Sequence, residues 1–206
     1  MTLFIRITLS LLALMLINGC STQPRQAGKL ETNQTIEQRN DKLSQLNDWQ
    51  FKGKIAFIQS DKRQSASIIW QHQQSINKQT LDLTSYLGVN VLHLESNNNS
   101  HIIEVDGESY QGSNLEQLIY SLTGLTIPTD ALSYWLKGLS YNINDTINYH
   151  FESKLPSIIT SEYNNEHWQI TYANYRQIND VQLATTFTFK RDDLLIKISI
   201  NEWTLP

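Results

Sequence analysis

The stretch Trp49–Gln59, "WQFKGKIAFIQ", decides the fold class. Trp49, Phe51, Ile55 and Phe57 alternate with Gln50, Lys52 and Lys54. A period of two sends the apolar set to one face of a strand and the polar set to the other. Working outward, the same parity returns in "SASIIWQH", where Ala66, Ile68 and Trp70 share a face, and then at Leu81, Leu83, Leu92 and Leu94. "NNNS" at Asn97–Ser100 reads as a turn, and "HIIEV" resumes the sheet. Near the C-terminus the runs are "INYHF", "SIITSEY", "HWQITY", "ATTFTFKR" and "LLIKISINEW", with "NNE" and "RDD" as turns. Ten or eleven short strands with one dry face predict a mainly β, antiparallel sheet.

The alternation is interrupted by helical spacing. "NLEQLIYSL" places Leu115, Leu118, Ile119 and Leu122 on one helical face, with Asn114 as cap. "TDALSYWLKG" follows, with Thr129 as expected cap, Leu132, Trp135 and Leu136 on one face, and Gly138 as the stop. Upstream, Ile36, Leu43 and Leu46 mark a short amphipathic helix. A sheet this large must cover its apolar face. The expected solution is an unclosed antiparallel β-barrel of about 11 strands, with short helices over its mouth. Phe51, Phe57, Trp70, Leu83, Tyr149, Phe151, Trp168, Phe187, Phe189, Ile196 and Ile198 would line the hollow. The alternative is a filled core without a cavity, and periodicity does not separate the two. Trp135 and Leu136 have two readings as well: one packs, and the other gates the cavity.

The N-terminus sets the compartment. "ITLSLLALMLI" is an apolar run too short to span a bilayer, which needs about 20 residues. It has the length of a signal-peptide core and ends in "LINGC". Gly19 before Cys20 resembles a bacterial lipobox, although Asn18 stands where a small residue is usual. Cys20 is the only cysteine of the chain, so it has no disulfide partner within it. The expected organisation is a signal peptide at 1–19, a lipidated tether at 20–34 and one domain at 35–206. By resemblance to the Gram-negative sorting rule, Ser21 rather than Asp after the cysteine favours the outer membrane, facing the periplasm.

Composition narrows the function. The 206 residues are 40% hydrophobic and 17% charged, with a net charge of −4, so a nucleic-acid-binding basic patch is not expected. "GESYQGSN" lacks the Lys-Ser/Thr of a phosphate loop. His72, His93, His101, His150 and His167 never fall at metal-ligand spacing. No cofactor, no metal and no catalytic residue is expected; a hydrolase built from dispersed carboxylates is the enzymatic alternative. The odd feature is the hairpin tip "TSYLGVN", Thr84–Asn90. Tips carry Asn, Asp and Gly because they are wet and need positive φ. Here Tyr86 and Leu87 precede Gly88. On patterning alone, Leu87 reads as folded back into the core.

"LTGLTIPTDALSYWLKGL", Leu122–Leu139, resembles the hallmark segment of the outer-membrane lipoprotein LolB family. "LNDWQFKGKIAFIQ", "LTSYLGVNVLHLE", "HWQITYANY" and "LLIKISINEW" are similar to its other segments in the same order. The sequence departs from the family pattern at Tyr86 and Ser140, where prolines are usual, and in "VQLATT". The resemblance implies a monomeric receptor that takes lipoproteins from the periplasmic carrier LolA, holds their acyl chains in an apolar cavity and inserts them into the inner leaflet of the outer membrane. It implies that Leu87, with Tyr86 beside it, is an exposed membrane-insertion residue, reversing the patterning. The alternative is a lipoprotein that binds a hydrophobic ligand without passing it on; a purely structural lipoprotein is a further one.

Overall fold

The computed structural model describes residues 34–206. The signal segment, Cys20 and all but the last tether residue lie outside the described residues. In chain order the elements are α1 (Ile36–Ser44), β1 (Asp48–Gln59), β2 (Lys62–Gln73), β3 (Lys78–Thr84), β4 (Asn90–Asn97), β5 (Ser100–Val105) and β6 (Glu108–Gly112). Then come α2 (Leu115–Thr123), α3 (Thr129–Trp135), β7 (Thr146–Tyr149), β8 (Pro156–Tyr163), β9 (Glu166–Ala173), β10 (Arg176–Ile178), β11 (Val181–Leu183), β12 (Thr186–Arg191) and β13 (Leu194–Thr204). Eleven strands form one antiparallel sheet in the order β6-β5-β4-β3-β2-β1-β13-β12-β9-β8-β7. Its two edges, β6 and β7, do not pair with each other, so the barrel is unclosed, as expected from the sequence.

Register explains why the apolar parity stays in line across the sheet. Phe51 faces Trp70 on β2 and Trp203 on β13, Ile198 faces Phe187, and Phe189 faces Ile170. One continuous apolar face results, because a slip of a single residue would reverse every side chain. At the centre, the β1–β13 register shifts between Lys52 and Gly53, which pair with Glu202 and Ile200 and leave Asn201 of β13 as the extra residue. A Cβ on Gly53 would lie 2.2 Å from the Ser199 carbonyl oxygen, so β13 approaches closely only because that position is glycine.

The helices start where the chemistry says they should, with one exception. Thr35 and Gln38 form a reciprocal capping box on α1. Asn114 accepts the Gln117 amide at 2.9 Å, and α2 stops at Gly124, φ +70°. For α3 the expected Thr129 cap is corrected: Pro128 takes the cap position without a side-chain bond, and Thr129 is already helical. Proline suits a helix start because the amide hydrogen it lacks would have no intrahelical partner there. Residues of the unusual "VQLATT" stretch form β11, which among the described residues pairs with β10 alone.

Candidate functional site

The two ends of the sheet differ in chemistry. At one end, the β1–β2, β5–β6, β8–β9 and β12–β13 connections carry Ser60, Asp106, Asn164, Asn165 and Asp192 at positive φ, as wet turns require. The β3–β4 tip at the same end is the exception. Tyr86 is fully exposed, Leu87 is 84% exposed and Val89 is 61% exposed. The tip is nonetheless tied. The Ser85 amide donates to the Val89 carbonyl at 2.8 Å, Gly88 donates to the Ser85 carbonyl at 3.0 Å, and the Val89 amide donates to Ser85 Oγ at 3.2 Å. Gly88 supplies the positive φ of +80° that lets Tyr86 and Leu87 project. Leu87 therefore points to solvent, not into the core.

Most side chains expected on the concave face behind this tip do turn inward, but Tyr149 is half-buried outside the core cluster and Phe151 leaves the face altogether. Phe51, Trp70, Trp135, Trp168, Phe187, Phe189, Ile196 and Ile198 are buried, and Phe57 and Leu83 are half-buried at the rim beside the tip. Phe151 is not part of the face: it is 88% exposed. β7 ends at Tyr149, the His150 amide turns back to the Leu155 carbonyl, and Lys154 (φ +56°) places its ammonium 4.8 Å from the Phe151 ring. Leu136, weighed with Trp135 as a gate, is buried beside it. In this state the apolar space is filled by these side chains; Phe51, Trp135, Phe187 and Phe189 have no accessible surface.

The interior is tied down unequally. Tyr172 donates to the Trp135 carbonyl at 2.7 Å, Arg39 to the Lys137 carbonyl at 2.9 Å, and Arg191 to the Thr126 carbonyl at 3.0 Å and Glu166 at 2.6 Å. These bonds fix α3 and the loop before it. Burial pulls the Arg39 and Lys137 pKa values down and pushes those of Tyr172 and Tyr175 up, since each charged form loses water. α2 has less to hold it: Leu115 is buried, Leu118, Ile119 and Leu122 are half-buried, and Glu116 accepts from Tyr163 at 2.5 Å.

Buried polar atoms stand out in the same space. Trp49, Trp70, Trp135 and Trp168 each have an indole N–H with no acceptor among the described residues, whereas Trp203 donates to the Ala184 carbonyl at 3.0 Å. A buried donor left unmatched costs about 1–3 kcal/mol. At the opposite end of the strands from Leu87 lies a cleft of about 460 Å³. His72, Gln79, Ser96, His101, Asn114 and Asp130 are among its walls, so it is polar and is not the apolar hollow.

Comparison with known proteins follows from this geometry. A family model described as "Outer membrane lipoprotein LolB" matches residues 47–203. The chain belongs to the LolB family. It is 34% identical to the outer-membrane lipoprotein LolB of Aeromonas salmonicida, over 100% of this chain and 99% of that one. It is 30% identical to that of Psychromonas ingrahamii, over 93% and 92%. Among solved structures, a LolA-superfamily protein from Nitrosomonas europaea has the same fold, with a TM-score of 0.52 at 8% identity, over 84% of this chain and 94% of that one. A DUF1329-family protein from Desulfovibrio piger gives 0.53 at 9% identity, over 81% and 89%. The chain is thus an outer-membrane lipoprotein with a role in lipoprotein localisation.

Some residues of this LolB-family chain escaped the sequence reading. Trp49 has the parity of Phe51 but was not among the expected lining residues; its ring lies 6.0 Å from Phe51 and 5.3 Å from Trp70. Val89 is a third apolar side chain at the tip. Leu125 and Ile127, from the loop between α2 and α3, pack against the core from above. Loop residues have no period, so only the fold reveals them.

Proposed function

We propose that this protein receives acylated lipoproteins from the periplasmic carrier LolA, shelters their acyl chains between the concave sheet and its helical cover, and delivers them to the inner leaflet of the outer membrane, where acyl groups on Cys20 hold it. The observation that carries this reading is the tied apolar tip standing beside an unclosed, aromatic-lined sheet. Fully burying a leucine or valine is worth about 1.5–3 kcal/mol, so Leu87 and Val89 gain by entering lipid. Tyr86 fits the boundary, with its ring inward and its hydroxyl wet.

The acyl chains supply the driving force. Each methylene moved out of water is worth about 0.8 kcal/mol, which forbids free diffusion of the cargo but permits a downhill relay between apolar sites. No bond is made or broken, so the relay asks nothing of a nucleotide, a metal or a catalytic group. Because the interior is filled, uptake requires side chains to give way, and α2, the more weakly held cover, is the element that moves. Phe51, Phe57, Trp70, Leu83, Trp135, Trp168, Phe187, Phe189, Ile196 and Ile198 then form the acyl-binding wall.

The test uses the full chain with Cys20→Ala, supplied with carrier-bound lipoprotein and then with phospholipid vesicles. The expected result is transfer to the protein without nucleotide, followed by appearance of the lipoprotein in the vesicles. Uptake without release supports instead a ligand-binding lipoprotein that keeps its ligand. Absence of uptake overturns the receptor reading.

A further inference from the structure

The apolar face contains an expense that hydrocarbon binding alone does not explain. Four indole N–H groups are buried and unmatched among the described residues, on side chains no more than 6% exposed. They fall into two pairs. Trp49 and Trp70, on adjacent strands β1 and β2, have ring centroids 5.3 Å apart. Trp135 on α3 and Trp168 on β9 have centroids 6.0 Å apart. The fold satisfies an indole elsewhere: Trp203, packed against the same Trp49 at 5.9 Å, finds the Ala184 carbonyl. Phenylalanine also occupies this face at Phe51, Phe187 and Phe189 without any donor to satisfy. A wall selected only for grease would use phenylalanine or leucine at all these positions.

An indole N–H donates and does not accept, so its complement must be an acceptor that itself enters an apolar space. Acyl chains bring such groups with them: ester carbonyls where they join glycerol, and an amide carbonyl where one joins an amino terminus. A carbonyl dragged out of water loses hydrogen bonds, and an unmatched indole waiting in the interior replaces one. Both penalties vanish together on binding.

We propose that Trp49, Trp70, Trp135 and Trp168 recognise the ester and amide carbonyls of the acylated ligand, so that the interior selects acylated headgroups over plain hydrocarbon. This rests on the acyl-binding reading above and adds a chemical specificity to it. One pair stands on the sheet alone and the other spans cover and sheet, so a ligand can be held by its carbonyls while its chains displace neighbouring side chains.

The experiment compares two synthetic ligands with the full chain carrying Cys20→Ala. One is a diacylglyceryl cysteine peptide with ester links; the other is its dialkyl ether analogue of equal chain length, which lacks those carbonyls. The expected result is about tenfold tighter binding of the ester ligand, the scale of one to two hydrogen bonds. Trp168→Phe and Trp70→Phe, which keep an aromatic ring and remove the donor, should each narrow the ester-to-ether ratio, whatever they do to the affinity for hydrocarbon itself; a ratio that stays put in both variants overturns the assignment to these indoles. Equal binding of ester and ether ligands by the unsubstituted tryptophans overturns the inference, as buried water satisfying the indoles would produce. That comparison needs no substituted tryptophan, so a folding defect does not blur it. Binding of neither ligand overturns the acyl-binding reading, and this inference with it.

Discussion

The two wings of the sheet are built from the same alternating pattern but are covered to different depths. Over β1, β2, β13, β12, β9 and β8, the face is closed by Trp135 of α3 and by Leu136, which caps it, and the cover is anchored through Tyr172, Arg39 and Arg191. Over β3 to β6, a separate cluster has only Leu94, Ile103 and Leu115 buried, with Leu92, Leu118, Ile119 and Leu122 half-buried around them. The first wing is a core; the second is a thin lid on a sheet edge. Apolar burial scales with covered area, so the second wing opens at lower cost. It also carries the β3–β4 tip, which puts the more openable half beside the exposed Tyr86, Leu87 and Val89.

The largest expected effect tests the first wing directly. Trp135→Ala should destabilise the domain by about 3–5 kcal/mol, because it empties a large, fully covered site. Ile119→Ala, in the half-buried cluster, should cost about 1 kcal/mol. Urea unfolding of both variants measures the gap, and equal losses would erase the distinction between the wings.

A crosslink asks whether the thin wing moves. A Cβ built on Gly112 lies 3.7 Å from the Leu118 Cβ, within the range a disulfide bridges. In a Cys20→Ala background, Gly112→Cys with Leu118→Cys should pin α2 to β6 when oxidised. Uptake from the carrier should then fall severalfold or more and return on reduction. Uptake indifferent to oxidation would show that α2 stays put and that the interior opens elsewhere.

The sheet was legible because period-two alternation survives in single strands: the parity of Trp49 to Phe57 is the parity of the folded face. It failed where geometry ended a strand before its pattern did. "INYHF" continues the alternation through Phe151, yet the chain turns at His150, and no local signal of polarity marks that. β11 was missed for the opposite reason. Val181, Gln182 and Leu183 are all buried, so the short strand has no wet face and no alternation to read. Whether the trough is hollow or filled depends on how side-chain volumes meet across elements distant in sequence, which a pattern of faces does not encode. The Leu87 tip lay between these cases: its apolar character was plain in the sequence, but its direction came from Ser85 and Gly88 hydrogen bonding within the loop.

Leu87 lets the tip be separated from both wings. Leu87→Glu should change stability by no more than about 0.5 kcal/mol, since the side chain touches little. It should leave uptake intact and reduce release into vesicles, because a carboxylate resists entering lipid. Thermal unfolding, carrier-to-protein transfer and protein-to-vesicle transfer measured on one preparation separate the steps. Equal loss of all three would return Leu87 to a structural role.

The smallest effect lies in the polar cleft at the far end, where the two wings meet. His72 stacks on Trp49 at 5.2 Å, and His101 bonds Ser96 at 2.6 Å. Burial lowers the pKa of both imidazoles, because their protonated forms lose water. The folded chain therefore binds fewer protons than the unfolded chain just below the ordinary imidazole value of 6.5. Stability contributed by the two neutral rings is fully present above that value and declines as pH falls through it towards the depressed folded pKa. Urea midpoints should drop between pH 7.5 and about pH 5.5, and drop less in a His72→Gln, His101→Gln double variant. A steeper drop in the double variant would reverse the sign of the argument. Since His72 touches the aromatic cluster of the packed wing while His101 stands on β5 in the thin one, the two single variants divide the proton effect between them.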